Sequence, residues 1–171
     1  MQQWASDWYF MNVALLEAQR AQSIGEVPIG AVIVHDGIII GRGHNVREQS
    51  QLATKHAEMI AIERACETIG SWRLEETTLY VTLEPCMMCS GAIMQSRIPR
   101  VVYGAADLKG GTVRSLYRLL EDERLNHFVR VEAGLMKETC SSQLTHFFRT
   151  IRARKKREKQ QRRQHIDSTS S

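Results

Sequence analysis

No apolar run among the 171 residues approaches the roughly 18 that a membrane-spanning helix needs, so no membrane partner is expected. The N-terminus contains Gln and Trp and lacks the basic-then-apolar order of a secretory leader. Cysteine is scarce: four residues, two of them assigned to a metal (below), argue against a disulfide framework, and a reducing cytoplasm is the expected compartment. No internal repeat and no linker-like stretch interrupts the chain, and its length suits one domain with a core of its own. Hydrophobic content of 43% with 25% charged residues places it among soluble globular proteins.

Charge is present but unevenly spread. The net charge of +4 conceals a tail in which residues 149–163 hold nine Lys/Arg against the single acid Glu158. Residues 1–148 are slightly acidic, with 14 Lys/Arg against 17 Asp/Glu. A segment so basic suits a polyanionic partner, although many charge runs are only solvated surface.

Periodicity predicts the elements. Ser6 or Asp7 is expected to cap a first helix reaching about Ser23, with Met11, Ala14, Leu15 and Ala18 on its apolar face. Trp4, Trp8, Tyr9 and Phe10 read as core or interface. Ile29–His35 and Gly37–Gly43 flank Asp36-Gly37, a hairpin signal. Residues 45–55 read as a loop, His56–Ile69 as a helix, Thr78–Leu83 as a strand, Cys86–Ser96 as a helix and Arg100–Gly104 as another strand. A Gly-rich surface loop over 104–114, a short helix over Ser115–Leu120 and a strand over Phe128–Ala133 follow. Met136 begins a final helix with Leu144, Phe147, Phe148 and Ile151 on its apolar face, ending in a frayed Ser/Thr terminus. Two strands and then alternating helix and strand indicate one α/β sheet with helices on both faces.

The chemistry concentrates in His56-Ala57-Glu58 and Pro85-Cys86-Met87-Met88-Cys89. One imidazole and two thiols make a zinc set with a fourth position left for water, which marks a catalytic rather than a structural metal. Cys86 and Cys89 share one face of a helical turn, and Pro85 suits a helix opening. The positive end of the helix favours thiolate. Glu58 is left free to move protons. A redox pair or a structural zinc site is the bland alternative, but four thiols would require Cys66 and Cys140, which are not at ligand spacing.

The chain resembles the bacterial tRNA-specific adenosine deaminases of the cytidine-deaminase superfamily over residues 7–152. Besides the two motifs, Val27-Pro28-Ile29-Gly30-Ala31-Val32, Gly43-His44-Asn45, Leu79–Glu84, Ser96-Arg97-Ile98 and Val101–Ala105 carry the resemblance. It implies a single α/β domain over 1–152 with a five-stranded mixed sheet sandwiched by helices, followed by a basic extension over 153–171. It also implies a homodimer acting on the tRNA anticodon arm, not DNA, and converting the wobble adenosine to inosine. His56, Cys86 and Cys89 are then the zinc ligands and Glu58 the proton shuttle. Asn45 and the backbone of Ala57 would hold the base, with Asp107, Lys109, Phe148, Arg149 and Arg152 toward the RNA. A free-base or nucleotide deaminase acting on guanine or cytosine would share the zinc set. A catalytically silent RNA-binding subunit would have no use for Glu58. The basic C-terminus favours RNA over either small substrate, and it is expected to lie along the anticodon arm and contact phosphates.

Overall fold

The computed structural model describes residues 3–169. Five strands form one mixed sheet in the order β2-β1-β3-β4-β5: β1 (Gly30–His35), β2 (Ile38–His44), β3 (Thr77–Leu83), β4 (Arg100–Ala105) and β5 (Arg130–Ala133). β1 runs antiparallel to β2 and β3, while β3, β4 and β5 are parallel. Every strand except β1 therefore ends on the same edge, and that edge carries the site.

Side chains alternate across the sheet. Ala31, Ile33, Leu79, Val81, Val101 and Tyr103 face α3 (Ala57–Ile69) and α4 (Met87–Gln95). Val32, Val34, Tyr80 and Val102 face α1 (Gln3–Ser23) and the start of α5 (Lys137–Thr169). Both layers are apolar, so the expected helix–sheet–helix sandwich is what the chain builds. Gly43 lets α3 sit directly on β2, because a Cβ there would run into the carbonyl oxygen of Ala57.

Several expectations are corrected by tertiary contacts. α1 starts at Gln3, so neither Ser6 nor Asp7 caps it. Asp7 is instead buried and bound by Arg100 at 2.8 and 3.0 Å, and Arg100 also grips Glu132 at 2.9 and 3.0 Å. The Tyr80 hydroxyl donates to Asp7 as well, tying α1, β3, β4 and β5 together. Phe10 is buried, whereas Trp8 and Tyr9 are exposed; the side chain of Trp4 lies outside the described residues. The hairpin turn does fall on Asp36-Gly37, both at positive φ as a two-residue turn requires. The loop over 45–55 contains a single helical turn, α2 (Arg47–Ser50). Ser115–Leu120 is not a helix; only a 3₁₀ turn over Leu119–Glu121 forms, because the Leu119 N–H donates to Thr112 O rather than to Ser115 O. Phe128 lies outside β5 and is exposed. α5 is helical to Thr169, where a frayed Ser/Thr end was expected; Ser170 and Ser171 lie outside the described residues.

Candidate metal centre and substrate pocket

Two helix starts converge on the sheet edge. His56 is the N-cap residue of α3 and Cys86 that of α4, both with extended backbone, and neither side chain caps its own helix. Both are thus free to point at a shared centre. His56 Nδ1 lies 3.7 Å from the sulfurs of both Cys86 and Cys89, and the three donor atoms all fall within 4.8 Å of one another. A tetrahedral zinc with Zn–N of about 2.0 Å and Zn–S of about 2.3 Å separates nitrogen from sulfur by about 3.6 Å. The donor triangle therefore fits such an ion in size and in softness. Among the described residues this is the one His/Cys/Asp/Glu cluster within ligating reach. Cys66 sits inside α3 and Cys140 packs from α5 against Gly104, so a four-thiol site does not form.

The site is electrostatically graded. A hydrogen bond from Cys89 draws the Cys86 thiol down to about 4, against the opposing effect of burial, while Cys89 moves up as the partner keeping the proton. Glu58, the second residue of α3, is almost wholly buried, and desolvation pushes its carboxyl up to about 7. A carboxyl of that affinity can both accept and return a proton near neutral pH.

A His/Cys/Cys donor set beside a carboxyl suits several kinds of deaminase, and comparison with known proteins separates them. The pattern of the MafB19-like deaminases matches residues 5–152. Over 148 residues the chain is 57% identical to a tRNA-specific adenosine deaminase of Streptococcus pyogenes serotype M1, spanning 86% of this chain and 86% of that one. The chain belongs to the tRNA-specific adenosine deaminase family. A solved structure from work on A-to-I editing by tRNA:A34 deaminases at the wobble position of transfer RNA matches the deaminase fold with a TM-score of 0.76 at 45% identity, over 80% of this chain and 99% of that one. A guanine deaminase from Bacillus subtilis matches less completely, with a TM-score of 0.55 at 41% identity over 57% of this chain and 63% of that one.

The remaining residues expected of the deaminase family separate into groups. Asn45 follows β2 and is buried, its Nδ2 donating to Glu26 Oε2 at 3.2 Å and its Oδ1 accepting from the Arg47 N–H at 3.4 Å. Glu26 is itself buried, and its other oxygen takes the Gln49 N–H at 2.6 Å. A carboxylate can only accept, so Glu26 dictates which way the Asn45 amide faces. Ala57 is the first residue of α3, where the helix leaves a backbone N–H unused. Asp107, Lys109, Phe148 and Arg152 come together with Val27 and Leu83 around a pocket of about 450 Å³. Arg149 does not join them; it faces a groove between α1 and α5 lined by Leu15, Gln19 and His146.

Glu84 is a residue that the sequence displayed but did not explain. It is buried immediately before Pro85 and accepts from the backbone N–H groups of Asp107, Val113, Arg114 and Ser115 at 2.7–3.1 Å, and from the Ser115 hydroxyl. Burial opposes its ionisation, but these donors outweigh it and hold the carboxyl below the usual range. The same contacts correct the expectation of a surface loop over 104–114. Gly111, Thr112 and Val113 are buried, and a Cβ on Gly111 would collide with the Glu84 carboxylate. Thr112 N donates to Pro85 O at 3.0 Å, and its hydroxyl lies 3.0 Å from that of Ser90 on α4. The loop carrying Asp107 and Lys109 is thereby welded to the turn that presents Cys86. Nothing in local sequence pattern signals this role, since a single Glu ahead of Pro85 says nothing of donors 23–31 residues away.

Proposed function

We propose that the protein hydrolyses the exocyclic amine of adenosine at the wobble position of a tRNA anticodon, giving inosine and ammonia. The observation that carries the reading is the buried Glu58 beside the His56–Cys86–Cys89 triangle, in a chain 57% identical to a tRNA-specific adenosine deaminase. His56, Cys86 and Cys89 would hold one zinc ion per chain. When bound, it would supply Lewis acidity, making a water acidic enough to lose its proton near neutral pH. Glu58 accepts that proton as the water oxygen attacks C6 of the adenine and returns it to the base. The C6–N bond then breaks, and the leaving amine departs as ammonia with its third hydrogen delivered through the same carboxyl. Asn45, oriented by Glu26, and the Ala57 backbone hold the base during these steps. Asp107, Lys109, Phe148 and Arg152 receive the neighbouring nucleotides, and Arg149 contributes from the adjoining face.

The enzyme is read as a cytoplasmic homodimer, with residues 1–152 as the catalytic unit and 153–171 as an extension. Exposed Trp8 and Tyr9 on α1 are consistent with a partner surface. Among the described residues, no helix is long and apolar enough to cross a membrane. The partial match to a guanine deaminase sustains a second reading, action on a free purine. Incubating the zinc-loaded protein with a panel of unmodified tRNAs, and separately with guanine, cytosine and free adenosine, tests both. Inosine at the wobble position of a tRNA is the expected product; turnover of a free base with none of the RNAs would overturn the proposal.

A further inference from the structure

We infer that α5 beyond the substrate pocket presents a one-sided phosphate-binding stripe, whose occupant is the double-stranded stem closing the loop that enters the pocket. The inference rests on the tRNA reading above and adds a surface, a direction and a part of the substrate. Residues 154–164 are helical and exposed throughout, so packing against the core does not account for their arrangement. At about 100° per residue, six of the eight Lys/Arg from Arg152 to Arg163, all but Arg154 and Arg157, fall within an arc of about 120°. Leu144 and Phe148 lie in the same arc. Together with Arg152 they are the α5 residues lining the pocket beside Asp107 and Lys109. The stripe is thus a continuation of the pocket wall, running about 17 Å along the helix from Arg152 to Arg163.

Off the stripe the charge is sparser: only Arg154 and Arg157 lie there, and Arg154 pairs at 3.7 Å with its i,i+4 neighbour Glu158, the one acid in this stretch. Glu158 borders the stripe, sharing a shallow surface pocket with Lys155, Lys159 and Arg162. On the stripe itself like charges repeat at i,i+4, from Arg152 to Lys156 and from Lys155 through Lys159 to Arg163. That arrangement works against the free helix and is relieved when a polyanion lies along it. The metal site takes a base that has left the stack and the pocket beside it receives the neighbouring nucleotides, which requires a loop. A surface leading 17 Å away from the pocket passes beyond a short loop and meets the paired backbone next to it. Contacts of this type position the RNA without reading its sequence.

The test compares two charge-matched variants of the full-length zinc enzyme, Lys155→Gln/Lys159→Gln on the stripe and Arg154→Gln/Arg157→Gln off it. Each is assayed on an anticodon stem-loop RNA and on the same loop sequence as an unpaired oligonucleotide. The stripe pair should raise KM for the stem-loop about tenfold and make the log–log salt slope shallower by about 1.5, with kcat at saturation unchanged. It should not alter KM for the unpaired oligonucleotide, and the off-stripe pair should move the stem-loop slope by less than about half a unit. Equal effects from the two pairs, an equal effect on both RNAs, or no effect of the stripe pair would overturn the stripe. Wild-type enzyme that deaminates neither RNA would instead overturn the tRNA reading itself, a failure visible before any variant is made.

Discussion

The two ends of the central sheet bury carboxyl groups to opposite effect. At the end away from the metal centre, Arg100 donates to both Asp7 and Glu132, and Tyr80 adds a further donor to Asp7. These hydrogen bonds overcome the desolvation of Asp7 and hold its carboxyl below the usual carboxylate range. At the other end Glu58 is buried to the same extent with no arginine against it, and in the metal-free protein desolvation raises its carboxyl to about 7. Burial alone therefore does not decide the protonation of a carboxyl; the supply of donors does. Where donors saturate the group it becomes a fastener, and where they are few it keeps proton affinity for chemistry.

The strongest way to break the contrast is to empty the metal end. Cys86→Ala should abolish both bound zinc and deamination, leaving metal content near zero by elemental analysis. Next in size, Glu58→Ala should retain zinc and fold while lowering kcat by at least roughly 10²–10⁴-fold. A variant that kept more than about a tenth of the wild-type rate would show that the proton moves by another route.

At the far end the expected loss is in stability. Arg100→Met leaves Asp7 and Glu132 without their shared cation, both partly or wholly shielded from water. Removing one member of a buried charge cluster costs about 3 kcal/mol, or roughly 6–12 °C in Tm for a chain of this size. kcat should be unaffected; a fall in kcat with unchanged Tm would reverse the assignment of the two ends. The smallest effect concerns pH. Because the folded pKa of Asp7 is depressed, its contribution is present above the unfolded value of about 3.9 and is lost as pH falls through the folded one. The Tm difference between wild type and Asp7→Asn should therefore be full near neutrality and shrink in acid. A difference that stayed constant down to the acid limit of folding would mean Asp7 acts by packing rather than by charge.

Local pattern carried much of this architecture, and its limits are physical. The Asp36-Gly37 turn, the alternating strands and the meeting of His56, Cys86 and Cys89 were legible because each depends on residues close in sequence or on side-chain types that have few other uses together. Ser115–Leu120 is not helical because its backbone bonds reach back past the expected first turn: the Leu119 N–H donates to Thr112 O and the Leu116 N–H to Gly111 O, in a loop held by the distant acceptor Glu84. Glu26 was missed for a related reason. A lone acid ahead of an apolar strand looks like surface until Asn45 and Gln49 are brought to it across 19 and 23 residues. Asp7 looked like a cap because its true partner, Arg100, is 93 residues away.

The Glu84 cluster has a consequence for how the enzyme opens. The amide protons of Asp107, Val113, Arg114 and Ser115 lie in a segment without regular secondary structure, where exchange with solvent is ordinarily fast. All four share one acceptor side chain that is itself sealed in the interior. Freeing any of them weakens the donor set that keeps a buried carboxylate ionised, so the four amides share one source of protection. Hydrogen exchange at these four loop positions should therefore be slower than at neighbouring loop amides, and Glu84→Gln should speed all four together.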